Sequence, residues 1–158
     1  MALVHLVTHR PVGFRDVSRV VHRLGDEAFT ETGQVELRAR VAGIELVKRV
    51  AVQVGEIQET HEPLVCLVVP LRIRALEETD VFPTFEGDLE MVALSHDRVE
   101  FALEGRYQPP GSWVGGLIDA AALHALAEDS LTTFFRDLVD RLYHEARCSS
   151  ETTGVPYT

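Results

Sequence analysis

The chain has 158 residues, 46% of them hydrophobic, which predicts one domain with a substantial core. Its formal net charge is −10 and its arginines and lysines are scattered, so neither nucleic acid nor an anionic membrane surface is an expected partner. The N-terminus lacks the basic region of a signal peptide, and no segment reaches the roughly 20 apolar residues of a membrane span. We therefore expect a cytoplasmic protein that is not stably inserted into a membrane.

The first quarter of the chain predicts a strand and short helices. Residues 3–8 have the pattern of a strand, which Pro11 and Gly13 end. Hydrophobic side chains then recur at helical spacing until Gly25, a residue that often stops a helix; they are Phe14, Val17, Val20, Val21 and Leu24. A second short helix is expected over residues 26–32.

From Gln34 the hydrophobic period changes to two, which is typical of strands that are half buried. Turn residues divide this region into five segments, so we expect a meander of five strands. They cover residues 34–41, 46–57, 64–76, 84–94 and 99–108. With the strand at residues 3–8, the sheet would have six or seven strands.

Charges suggest a register for this sheet. When the two strands flanking residues 79–82 are paired so that residue numbers sum to about 162, Arg72 faces Glu90, Arg74 faces Asp88, and Arg106 comes near Asp88. Opposite charges across strands are mutually stabilising, so this face should be the solvated one. The opposite face would be apolar, and consists of Val69, Leu71, Ile73, Leu89, Met91, Phe101, Leu103 and Tyr107.

One long amphipathic helix, at residues 112–146, is expected to cover that apolar face. Its apolar sector contains Leu117, Ala121, Leu131, Phe134, Phe135, Leu138 and Leu142. The single domain would extend over residues 1–147, followed by a flexible tail at 148–158.

Two polar residues interrupt the apolar sector of this helix. His124 lies near its centre and Glu128 one turn later near its edge, and at this spacing the two side chains can touch. One interpretation is a hydrogen-bonded core histidine with Glu128 reaching solvent. The other is a polar pair inside a ligand cavity, where it could orient a carbonyl or hydroxyl group or transfer a proton. Tyr107 faces inward nearby, and its phenol needs a partner, either structural or a ligand.

No cofactor or metal site is predicted. Cys66 and Cys148 lie far apart without metal-ligand or redox spacing. His5 and His9 flank the end of a strand, where they would stand roughly 13 Å apart, too far to share one ion.

The order strand, helices, five or six strands and a long closing helix resembles the START-like helix-grip superfamily, also called SRPBCC. The run Gly105-Arg106-Tyr107-Gln108-Pro109-Pro110-Gly111, followed by Gly115-Gly116-Leu117-Ile118-Asp119, resembles the strand-to-helix junction of uncharacterised bacterial members. The resemblance implies an α+β fold in which a curved antiparallel sheet wraps around the C-terminal helix. Members bind lipids, sterols, polyketides or quinones, and some are cyclases or dehydratases, so no catalytic residue is carried over. A nuclear-transport-factor-like cone fold is the alternative architecture.

Three classes of function follow, in order of preference. The first is binding or transport of a lipophilic small molecule in a cavity of roughly 300–1,000 Å³ between helix and sheet. The second is a cofactor-free enzyme of the polyketide cyclase type, with acid–base work by His124, Glu128 and Tyr107. The third is a protein-interaction module with a filled core, and a homodimer is left open. The predicted ligand-binding residues are Leu71, Met91, Phe101, Leu103, Tyr107, Ala121, His124, Glu128, Leu131 and Phe135, and all of these except Glu128 are predicted to line the cavity.

Overall fold

The computed structural model describes residues 2–30, 33–41, 44–76, 84–108 and 120–152, with side chains described over 2–25, 49–76, 84–108 and 124–150. The fold is α+β, with a curved antiparallel sheet and a long C-terminal helix, as predicted. The described elements are β1 (Ala2–Arg10), α1 (Phe14–Thr30), β2 (Gly33–Val41), β3 (Ile44–Val54), β4 (Gln58–Thr60), β5 (Cys66–Ala75), β6 (Thr84–Ser95), β7 (Arg98–Gln108) and α2 (Ala120–Thr152).

The helix after β1 is one element, and the prediction of two short helices was wrong. α1 continues through Gly25 to Thr30. Gly25 packs closely against Ile57, because a Cβ atom there would lie 2.6 Å from Cδ1 of that side chain. A glycine can therefore remain inside a helix when a neighbouring side chain occupies the space of its missing methyl group.

The strands form one antiparallel sheet in the order β1-β7-β6-β5-β3-β2, and β4 pairs with β5 beside this path. Strands that are consecutive in the predicted meander are neighbours here, and β1 closes the order by pairing with β7. The predicted strand 46–57 corresponds to β3, which ends at Val54, and the short strand β4 at Gln58–Thr60 was not predicted.

The predicted register of β5 and β6 was wrong by four residues. Arg72 faces Glu86, not Glu90, and the two side chains form an ion pair of 2.8 Å. Arg106 also faces Glu86, and Arg74 donates a hydrogen bond of 3.0 Å to Gln53. Charge pairing cannot separate registers that differ by an even number of residues, because acidic side chains recur on the same face of β6.

The two faces of the sheet are nevertheless those predicted, because an even shift preserves which side chains point inward. Arg72, Arg74 and Arg106 are exposed. The eight residues of the predicted apolar face are all buried, namely Val69, Leu71, Ile73, Leu89, Met91, Phe101, Leu103 and Tyr107.

Two cross-strand glycines allow β6 and β7 to approach closely near the end of β7. Gly87 faces Gly105, and a Cβ atom on Gly105 would lie 2.7 Å from Cα of Gly87. The ring of Phe85 lies over both glycines, 2.7 Å from that same Cβ position. Phe85 itself faces Tyr107 across the strands, so this packing helps to position the tyrosine.

α2 packs on the sheet and extends from the end of β7 to α1. His124, near its start, contacts Tyr107, whereas Asp140 pairs with Arg10 at 3.2 Å and Glu145 with Arg23 at 2.6 Å. Its buried residues form one core with the inner face of the sheet; they include Leu126, Ala127, Leu131, Phe134, Phe135, Val139, Leu142 and Ala146.

The helix also extends to Thr152, beyond the predicted end at residue 146. The hydroxyl groups of Ser149 and Ser150 donate hydrogen bonds to the carbonyl groups of Glu145 and Arg147, so these polar residues are accommodated within the helix. Residues 112–119 and 153–158, at the predicted helix start and tail, lie outside the described residues. Among those that are described, no helix is long and apolar enough to cross a bilayer.

Candidate functional site

Tyr107 is the buried member of the predicted polar group. It lies near the end of β7, on the inner face of the sheet, and its exposed fraction is 0%. Ala2 of β1 and Phe85 of β6 are its cross-strand neighbours. A phenol in this position needs a hydrogen-bond partner, because burying an unpaired hydroxyl group is costly.

His124 supplies that partner from α2. The Tyr107 hydroxyl lies 2.6 Å from Nδ1 and 2.9 Å from Nε2 of His124, so it is close to both ring nitrogens. The two ring centroids are 5.3 Å apart with an interplanar angle of 45°. This contact joins the end of β7 to the beginning of the described part of α2.

Glu128 completes the group on the solvent side. Its Oε1 lies 3.4 Å from Nε2 of His124, which confirms the contact expected from the spacing of four residues. The side chains of His124 and Glu128 are 49% and 58% exposed. His124 is therefore not the core histidine of the first interpretation. A helical wheel gives the direction of a side chain about the helix axis, but it does not show whether a neighbouring element covers that turn of the helix.

The pKa of the Tyr107 phenol is raised, first by burial and second by the negative charge of Glu128. The phenol is thus protonated at neutral pH and is available as a hydrogen-bond donor to a ring nitrogen of His124. Glu128, His124 and Tyr107 then form a chain of hydrogen-bonding groups from solvent to the core.

The apolar residues predicted to line a cavity are placed together but packed. Leu71, Met91, Phe101, Leu103, Leu131 and Phe135 belong to one core cluster with exposed fractions of 0–5%. The side chain of Ala121 and residues 109–119 lie outside the described residues. The cavity between helix and sheet stays a prediction.

Two depressions lie on the sheet, a pocket at β6 and β7 and a groove across β3, β5 and β6. A pocket of about 310 Å³ adjoins the site, and its lining is Thr84, Glu86, Arg106, Tyr107 and Gln108. An open groove of about 670 Å³ lies across β3, β5 and β6, where the ion pair of Arg72 and Glu86 forms part of its wall. The smaller pocket includes Tyr107, and the groove includes Leu71, both of which are predicted site residues.

A second polar cluster was missed by the sequence reasoning. Glu59 of β4 accepts a hydrogen bond of 3.1 Å from Ser18, and the same oxygen lies 3.4 Å from Nε2 of His22. Its other oxygen lies 3.1 Å from Nε2 of His61. The spacing of four between Ser18 and His22 on α1 was the available signal, but the carboxylate that they share is 41 and 37 residues away in sequence.

Thiol chemistry is not supported at Cys66. Burial and, to a lesser extent, the charge of Glu90 raise the pKa of this thiol, although the backbone of Met91 opposes the shift. A thiol that stays protonated at neutral pH is a weak nucleophile. Within the described ranges no three histidine, cysteine or carboxylate side chains are arranged to hold a metal ion.

No family model, curated protein or solved structure matches this chain. The geometry of the sites is therefore the basis for the functional argument.

Proposed function

We propose that the protein binds a lipophilic small molecule with a polar head group, between the sheet and the start of α2. The head group would contact His124 and Glu128, and the apolar part would lie along the apolar face of the sheet beside Tyr107. The observation that carries this proposal is the 2.6 Å contact between the buried Tyr107 phenol and the half-exposed His124.

The distribution of burial around the three residues supports a site for such a molecule. If His124 served only as the hydrogen-bond partner of the buried Tyr107 phenol, it would have no need of the solvent-exposed Glu128 carboxylate at 3.4 Å. His124 and Glu128 instead offer hydrogen-bond donors and acceptors at the border of an apolar core, which is the usual composition of a ligand site. A ligand hydroxyl or carbonyl group could bond to His124 without leaving the phenol unpaired.

A second candidate is a cofactor-free acid–base enzyme. The specific observation in its favour is the order of Glu128, His124 and Tyr107 within hydrogen-bonding reach of one another. Such a chain can move a proton to or from a bound carbonyl compound, with Glu128 orienting the histidine. The enzyme and the carrier would use the same site and differ in whether the ligand leaves unchanged.

An interaction module is the third candidate, and the packing of Met91, Phe101 and Leu103 is the observation that favours it. All three side chains are fully buried, as in a core that is already filled. In that case the apolar face of the sheet serves stability alone.

Native mass spectrometry of the purified protein, followed by titration with a hydrophobic fluorescent probe, would test these alternatives. A carrier or enzyme should retain a molecule or bind the probe at the Tyr107 site. We expect His124→Ala to weaken probe binding about tenfold, as when a binding hydrogen bond to a buried group is lost. Ala121→Phe should abolish binding while the protein stays folded.

Tyr143→Phe is the matched control for Tyr107→Phe. The Tyr143 hydroxyl accepts a hydrogen bond of 3.0 Å from Arg147, at the other end of α2. Loss of binding in the Tyr107 variant alone would locate the ligand at the proposed site. Probe binding that survives Tyr107→Phe, His124→Ala and Ala121→Phe would refute that location, and the absence of any binding would favour the interaction module.

A further inference from the structure

α1 carries a row of three arginines that are not equally neutralised. Arg15, Arg19 and Arg23 recur every four residues, so they share one side of the helix. Arg23 pairs with Glu145 at 2.6 Å, whereas Arg19 is 3.7 Å from Asp16 and its side chain is 63% exposed. Arg15 is exposed and forms no ion pair with any residue that the structure describes. Like charges one turn apart are unfavourable unless an anion compensates them.

Arg15 and Arg19 border a pocket of about 420 Å³ between α1 and the segment that begins with β4. This volume lies in the range of pockets that bind small molecules. Phe14 and Val65 provide apolar surface. The complete lining is Phe14, Arg15, Ser18, Arg19, Glu59, His61 and Val65.

The carboxylate of Glu59 contacts side chains other than the two arginines of the pocket. One of its oxygens accepts from Ser18 and contacts His22, and the other contacts His61. Its lone pairs are therefore largely engaged within the protein. The guanidinium groups of Arg15 and Arg19 remain as donors, with Asp16 at 3.7 Å from Arg19, and they place two positive charges at the pocket on a chain whose net charge is −10.

We propose that this pocket binds a small organic anion, a carboxylate or phosphate monoester attached to a compact apolar body. Arg15 and Arg19 hold the anionic group, which guanidinium forks bind well, and Phe14 and Val65 contact the apolar body. The site is separate from that of Tyr107. α1 follows the end of β1 that pairs with Val99, and Val99 and Tyr107 lie eight residues apart on β7, or roughly 26 Å.

Isothermal titration calorimetry with benzoate, phenyl phosphate and inorganic phosphate would test the proposal. We expect at least one of the two aromatic anions to bind at least ten times more tightly than inorganic phosphate, because only they can use Phe14 and Val65. The preference between benzoate and phenyl phosphate identifies the anionic group. Equal affinity for inorganic phosphate, or no binding of either aromatic anion, would overturn the proposal.

Arg15→Gln and Arg19→Gln should each weaken binding about tenfold, because each removes one charged donor from the anion. Arg136→Gln is the control, since it removes the same charge from an exposed position on α2. Ring signals of His61 in the nuclear magnetic resonance spectrum should shift on titration and locate the ligand. Unchanged affinity in the Arg15→Gln/Arg19→Gln double variant would refute the site. Tyr107→Phe should leave this binding unchanged, so the result is independent of the function proposed above.

Discussion

The carboxylate of Glu145 on α2 accepts a hydrogen bond of 2.6 Å from Arg23 on α1 and thereby joins the two helices. Arg141 donates a second hydrogen bond, of 3.0 Å, to the other oxygen. Burial alone would raise the pKa of this carboxyl group, but the hydrogen bonds from Arg141 and Arg23 outweigh it and lower the pKa.

Glu145→Gln should therefore destabilise the protein in a pH-dependent manner. A carboxylate whose pKa is lowered on folding stabilises the protein above the pKa of the unfolded chain, about 4.3, and this contribution is lost as the pH falls through the folded value. We expect a loss of about 1 kcal/mol in the free energy of unfolding at pH 7. The difference from the unsubstituted protein should disappear in strong acid, as measured by urea unfolding at several pH values. A difference independent of pH would contradict this account.

The Tyr107 phenol should ionise at a higher pH than an ordinary tyrosine. The chain has three tyrosines, and burial and Glu128 together raise the pKa of Tyr107. Because the folded pKa exceeds the unfolded one, the associated stability is complete below about pH 10 and is lost at higher pH. Alkaline difference spectroscopy would follow the phenolates, and Tyr107→Phe should remove the latest transition. Glu128→Gln should move that transition to lower pH, whereas Glu104→Gln, an exposed change on β7, should not.

Gly87→Ala should destabilise the sheet by about 2 kcal/mol or more, since the added methyl group must displace backbone atoms. Its Cβ atom would overlap the carbonyl oxygen of Glu104 and lie 2.6 Å from Cα of Gly105. Gly13→Ala is the control, because a Cβ atom there would meet its nearest neighbours at 3.5 Å, an ordinary contact. Thermal unfolding of both variants would measure the effect. Equal stability of the two would show that β6 and β7 are not in close contact at Gly87.

Glu59→Ala should cost about 1–2 kcal/mol of stability, because the buried hydroxyl group of Ser18 loses its acceptor. Glu56→Ala removes the same charge at an exposed position three residues earlier and should have little effect. A double-mutant cycle would combine Glu59→Ala with Ser18→Ala. In a protein that already carries Ser18→Ala, Glu59→Ala should cost little more stability than Glu56→Ala does. Additive losses in that cycle would mean that the 3.1 Å contact does not contribute to stability.

Truncation of a side chain to alanine should lower the free energy of unfolding far more on the buried face of the sheet than on the exposed face. Arg74→Ala, on the exposed face, should change the free energy of unfolding by at most about 1 kcal/mol. Leu103→Ala, on the buried face, should cost about 2–5 kcal/mol because it leaves a cavity in the core. Chemical denaturation of the two variants would compare them directly. A large loss for Arg74→Ala would place that face inside the protein.

Local patterns in the sequence were sufficient for the α+β class, the two faces of the sheet and the long C-terminal helix. Alternation of polar and apolar residues along β5, β6 and β7 identified which side chains are buried, since this depends only on the period of the strand. The long apolar stripe of α2 likewise identified the helix that covers the sheet. Even the contact between His124 and Glu128 followed from a spacing within one helix.

Tertiary structure decided the features that depend on how separate elements meet. Register, the continuation of α1 through Gly25, and the exposure of His124 each depend on a partner distant in sequence, such as Ile57 for Gly25. The convergence of Ser18, His22 and His61 on Glu59 is of the same kind. No sequence motif joins these residues, and only the packing of α1 against β4 brings Ser18 and His22 to Glu59, because hydrogen bonds act over about 3 Å while 41 and 37 residues separate these two from Glu59 along the chain.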